Sequence, residues 1–253
     1  MNLLTTGLER LENAAMHRLA SCPGLDPPED VVLVEQPPGE VLFLTSAGTD
    51  LSCLAACLEH LEGWTDRIRA LSLSCLEHPA QLDHYLSSTA QQARLIAVRL
   101  LGSRGHWSYG LEQLRLWQQG APERHLIILA GTADQNRDLH ELGSCDPALA
   151  DQLAALLREG GGDNIQVFLR ALDAVLCGEP PDPASVVIQP LADPLPWDWK
   201  DNSGPTVGVV LYRALFQAGD LRLAEALNEA EMQASNDANQ LWQQYEDQER
   251  SWP

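Results

Sequence analysis

Four short runs of almost uninterrupted apolar residues recur along the chain, VLFLTS (41–46), IRALSL (68–73), LIAVRL (95–100) and HLIILA (125–130). A strand with one face in water alternates apolar and polar residues, whereas one covered on both faces does not, so these runs predict strands of a parallel sheet sandwiched by helices. The segments between them supply the helices. Residues 50–62 carry the stripe Leu51, Leu54, Ala55, Leu58 and Leu61 with Thr49 as N-cap, 78–93 open on Pro79, and 111–119 follow a Gly-broken turn. Alternation of this kind selects an α/β fold, a doubly wound, flavodoxin-like parallel sheet with added helices.

Past the fourth strand the period is helical. Leu149, Leu153, Leu156 and Leu157 form one stripe and Phe168, Leu169, Leu172 and Leu176 another, separated by Gly160–Gly162, which predicts a helical pair over 146–176. Seven of the chain's sixteen prolines fall between Cys177 and Pro205, so that stretch reads as a linker or a wrapping segment, with Trp197 and Trp199 as anchors. TVGVVLY (206–212) restarts the strand pattern and YRALFQAGD leads into a helix near Asp220, the start of a second α/β domain that ends in an acidic, Gln-rich helical tail. The expected organisation is an extension at 1–15, an α/β domain with the helical pair at 16–176, the Pro-rich segment at 177–205, and an incomplete second domain at 206–253.

Composition narrows the partners. The chain has 253 residues, and 36 Asp and Glu against 16 Lys and Arg leave a net charge of −20, which repels nucleic acid and anionic membranes. No apolar run is long enough for a membrane span and no secretory signal is visible, so a cytoplasmic location is expected. The six cysteines form no CxxC pair. Cys53, Cys57 and His60 could face a metal from one helix, but the cysteines flank an apolar stripe and read as core, so no metal site is expected.

Motifs of nucleotide chemistry are missing. A P-loop needs Lys after its Gly-rich turn, and the one lysine, Lys200, sits in WKDN. GxGxxG, GxSxG and HExxH are absent too, so no catalytic residue is assigned. The candidates for ligand or partner binding lie in the turn after the third strand. There Arg104 and His106 offer charge or hydrogen bonds, and Trp107 and Tyr109 offer flat faces to a macrocycle or a partner side chain. Packing of those aromatics on the following helix explains the same residues, and a surface ion pair explains the further candidate Arg213.

VRLLGSRGHWSYGLEQL (98–114), with VLFLTSAGTDLSCLA (41–55), HPAQLDHYLSSTAQQARLIAVRLLG (78–102) and VGVVLYRALFQAGD (207–220), resembles segments near the N-terminus of the aerobic, ATP-dependent cobaltochelatase large subunit, in the same order. That family is related to the porphyrin-binding subunit of magnesium chelatase. The resemblance runs from about Met16 to about Leu227. It implies a part in cobalt insertion into a corrin ring, hydrogenobyrinic acid a,c-diamide, in cobalamin biosynthesis. It also implies ATPase partner subunits, so that ATP, magnesium and cobalt serve the complex while this chain holds no cofactor. Large subunits of the family are several times longer, so the chain is expected to be a split or truncated N-terminal piece, inactive alone. The alternative is a non-catalytic acidic α/β interaction or regulatory module.

Overall fold

A computed structural model describes residues 31–133, 136–191 and 212–219, with 222, 226, 229, 230 and 233. The extension at 1–15, Trp197, Trp199, the strand expected at 206–212 apart from Tyr212, and most of the acidic tail lie outside the described residues. Strands β1 (Val41–Thr45), β2 (Ile68–Ser72), β3 (Leu95–Leu100) and β4 (His125–Ala130) form one sheet in the order β2-β1-β3-β4. All pairings are parallel, with Val41 opposite both Ile68 and Leu95, and Leu95 opposite His125. This is the doubly wound α/β sheet that the continuous apolar runs require.

The sheet sorts its side chains by parity. Val41, Phe43, Leu95, Ala97, Ile127 and Leu129 face helices α1 (Gly48–Leu58), α5 (Pro147–Glu159) and α6 (Gly162–Leu176). Leu42, Leu44, Ile96, Val98, Leu126 and Ile128 face α2 (Pro79–Ser87), α3 (Ser108–Gln119) and Leu139 of the short α4 (Asn136–His140). Phe43 meets Phe168 with ring centroids 5.4 Å apart, joining the strand to the helical pair. Each large apolar side chain fully buried here contributes about 1.5–3 kcal/mol.

Helix boundaries correct the sequence reading in three places. First, α1 starts at Gly48, so Thr49 lies inside the helix and Ala47 stands at the N-cap without a side-chain bond. Its buried face is Asp50, Cys53, Leu54 and Cys57, so the cysteines form the centre of the stripe that they were expected to flank, while Ala55 is exposed. Second, the helix expected over 78–93 is two pieces. His78 and Gln81 form a capping box for α2, which stops at Ser87, and a 3₁₀ turn over Thr89–Gln92 leads to β3. Third, α3 begins at Ser108, three residues early, after a 3₁₀ turn over Arg104–Trp107.

The turn between α5 and α6 needs glycine, since Gly160 and Gly161 have φ of +78° and +84°. Gln217 of the one-turn helix α7 (Arg213–Gln217) finishes α5, its Nε2 donating to the Arg158 carbonyl at 2.8 Å while its own carbonyl accepts from Gly161 N at 3.1 Å. The buried Asn164 side chain holds Gln189 like a strand partner, donating to its carbonyl and accepting from its amide, both at 2.8 Å. The start of the Pro-rich segment therefore wraps over the helical pair, with Val186 and Ile188 packed on the core.

The outer edge of β4 is covered by side chains. Ser144 Oγ accepts from Leu126 N at 2.8 Å, Ser144 N donates to the Leu126 carbonyl at 2.7 Å, and Ala130 N donates to His140 Nε2 at 3.2 Å. Among the described residues no helix is long and apolar enough to cross a membrane.

Candidate functional site

In a doubly wound sheet the helices after β1 and β3 leave to opposite faces, and a crevice opens at the carboxyl ends of those two strands. Here α1 packs on one face and α3 on the other. Two groups of residues occupy this end of the sheet.

The first group is buried. Thr45, the last residue of β1, lies opposite Arg99 of β3. Its hydroxyl donates to Asp50 Oδ2 at 2.6 Å and accepts from Ala47 N at 3.0 Å, fixing the entry of α1. The Arg99 guanidinium bonds the other oxygen of Asp50. The side chains of Arg99 and Asp50 keep only 7% and 4% of their surface in solvent, so neither charge tolerates loss of the other. Burial pushes the Asp50 carboxyl above its ordinary range, while Arg99 and the Thr45 hydroxyl oppose that shift. Arg99 Nε is buried without a hydrogen-bond partner. Arg158, at the end of α5, donates to the carbonyl of Ala130 at the end of β4 at 3.4 Å, so a second guanidinium stands near this end of the sheet, its pKa lowered by burial against the opposing charge of Asp151.

The second group is the turn at 101–110. Trp107 is half-buried, its indole N–H donating to the Leu76 carbonyl at 3.3 Å, and its ring covers Gly110 so closely that a Cβ there would fall inside the indole. His106 Nδ1 lies 3.2 Å from both the amide and the hydroxyl of Ser103. The Tyr109 hydroxyl donates to Asp83 on α2 at 2.8 Å, which raises its pKa. Arg104 has no such engagement and lines a shallow cleft along α3. The structure thus gathers Arg104, His106, Trp107 and Tyr109 in one turn, with the last three engaged by neighbouring residues of the chain. Arg213 stands apart from them, paired with Glu159 on α5 at 2.8 Å.

Thr45, Asp50 and Arg99 were missed in the sequence. The signal was there: one arginine inside LIAVRL, a run read as buried, demands an acidic partner, and the first turn of the helix after β1 offers Asp50. Cys53 and Cys57 pack against the start of α6, where Cys57 Sγ donates to the Gly162 carbonyl at 3.6 Å. The hydrogen bond shared with Cys57, with burial second, pushes the Cys53 thiol up. Among the described residues no three His, Cys, Asp or Glu side chains converge as metal ligands.

Fold and site together define a doubly wound α/β domain whose crevice is closed by a buried ion pair and bordered by an aromatic turn. Comparison with known proteins gives that class its relatives. The chain is 33% identical over 220 residues to the aerobic cobaltochelatase subunit CobN of Sinorhizobium sp, covering 77% of this chain and 16% of that protein. It is 32% identical over 165 residues to the subunit of the same name from Pseudomonas aeruginosa, covering 64% of this chain and 13% of that protein. Over most of its length the chain is therefore similar in sequence to CobN, as the four segments indicated. The match spans about a sixth of the first of these relatives and about an eighth of the second. No family model matches the chain, and no solved structure matches it.

Proposed function

We infer that this chain supplies the N-terminal α/β domain of a CobN-type cobaltochelatase large subunit and contributes to cobalt insertion into the corrin ring of hydrogenobyrinic acid a,c-diamide. The observation that carries this reading is the 33% identity over 220 residues to a protein named for that activity. In this reading cobalt and the corrin are substrates of the whole assembly. ATP and magnesium are used by partner ATPase subunits, in agreement with the missing P-loop, and the assembly works in the cytoplasm as a ligase related to magnesium chelatase. The residues that close metal–nitrogen bonds belong to the part of the large subunit outside the matched sixth. This domain's contribution is to hold subunits or substrate in place, which needs a rigid scaffold and no catalytic group of its own.

A domain exchange tests it. Replacing the matched segment of the Sinorhizobium subunit with this chain should leave ATP-dependent cobalt uptake by the reconstituted complex within about tenfold of the parent rate, a loss of no more than about 1.4 kcal/mol. A chimera that is folded and assembled yet inserts no cobalt would overturn the reading.

A further inference from the structure

The chain carries 36 acidic residues against 16 basic ones, so the partners of its arginines show where positive charge is left over. Arg67 pairs with Glu40 and Asp173, Arg94 with Glu40, Arg99 with Asp50, Arg158 with Asp151 and Arg213 with Glu159. Arg69 and Arg124 bond backbone carbonyls. Among the described residues the side chains of Arg104 and Arg115 have no hydrogen bond or ion pair, and both line the same cleft. Arg170 shares that state but stands on α6, away from this group.

The cleft has a volume of about 260 Å³ and runs along one face of α3, where Arg104, Ser108, Leu111, Glu112 and Arg115 recur at helical spacing opposite Leu142. Arg104 and Arg115 both line this cleft, and neither guanidinium is held by a carboxylate. Each presents a planar set of donors that matches the two oxygens of a carboxylate. Ser108 adds a hydroxyl, while Leu111 and Leu142 provide an apolar floor for a short carbon chain. Glu112 is the one acidic residue of the lining and leaves it a net positive charge. The volume falls below the roughly 300–1,000 Å³ of pockets that enclose a drug-sized molecule. It suits a short carboxylated chain and excludes an entire macrocycle.

We propose that the cleft between α3 and Leu142 is a binding site for a carboxylate ligand of short chain, held by Arg104 and Arg115 with Ser108. The carboxylate is either a free small dicarboxylate or the side arm of a larger molecule, and the chemistry of recognition is the same. The site goes beyond the family reading and does not depend on it.

Titration of the full chain with succinate, followed by amide shifts in nuclear magnetic resonance spectra, tests the proposal. Shifts should concentrate on residues 104–115 and weaken as salt is raised. Arg104→Gln and Arg115→Gln should each weaken binding by about fivefold to tenfold, and Glu112→Gln should tighten it several-fold by removing the like charge. All three positions are exposed, so the variants should keep the circular dichroism of the parent. A porphyrin tetracarboxylate that competes with succinate, when its methyl ester does not, supports the side arm as occupant. Succinate binding without that competition supports the free acid. No saturable shift with succinate or the porphyrin, or equal binding by the parent and the Arg104→Gln/Arg115→Gln double variant, overturns the site. A domain exchange that fails to insert cobalt would leave these titrations unaffected.

Discussion

The guanidinium of Arg99 on β3 closes on the carboxylate of Asp50 on α1 where the two faces of the sheet part. Both are almost wholly buried, so the pair couples helix entry to the central strands. Asp50→Asn leaves a buried cation uncompensated and should cost about 3–5 kcal/mol in urea unfolding. The double change Asp50→Leu/Arg99→Met should recover most of that loss, because apolar residues of similar size need no partner. Additive losses in the double variant would show that the two side chains act separately.

Gly110→Ala tests the aromatic turn. The new methyl group would fall inside the Trp107 ring, so the indole must swing out and break its bond to the Leu76 carbonyl. A destabilisation of about 1–3 kcal/mol is expected, with a shift of tryptophan emission to longer wavelength. Unchanged emission and unchanged stability would contradict the packing described.

His140 gives the fold a pH dependence whose sign follows from its bond. Its Nε2 accepts from Ala130 N, which requires the neutral ring, and burial holds its pKa below the ordinary histidine value of 6.5, with Asp151 and Arg158 as the charges acting on it. The unfolded chain therefore takes up the proton first. Stability from this group is complete above about pH 6.5 and declines as pH falls from there towards the folded-state pKa. His140→Ala should flatten the dependence of Tm on pH below about pH 6.5. It should also lower stability at pH 7.5 by about 1–3 kcal/mol, the cost of an unpaired buried amide.

Asn164 carries the attachment of the Pro-rich segment. Asn164→Ala removes both bonds to Gln189 and a third, from Nδ2 to the Gly160 carbonyl at 2.6 Å. Amide exchange at residues 186–191 should accelerate at least about tenfold while β3 and β4 keep their protection, since the segment opens without the sheet. Equal acceleration in both would mean that segment and sheet open as one unit.

The sheet was legible because parallel strands buried on both faces leave an unbroken apolar signature, and LIAVRL and HLIILA were bounded to the residue. Helix ends were not, because capping depends on which side chain reaches which amide. Thr49 looked like a cap and sits inside α1, while the quieter His78 forms a full capping box. The candidate turn was located from its glycines and aromatics. The bonds of Trp107 and Tyr109 were not readable, since their partners Leu76 and Asp83 lie 31 and 26 residues away. The Arg99 and Asp50 pair was readable in principle, because one charge inside a buried apolar run requires a partner of opposite sign.

The cover on β4 has a consequence for how this protein meets others. Ser144 and His140 occupy the outward-facing positions Leu126 and Ala130, where an edge strand would otherwise offer its ladder to any passing extended chain. An incoming strand would find the amides of Leu126 and Ala130 already spoken for on that side. Strand addition, the common route to fibres, is therefore hindered along the β4 edge by Ser144 and His140.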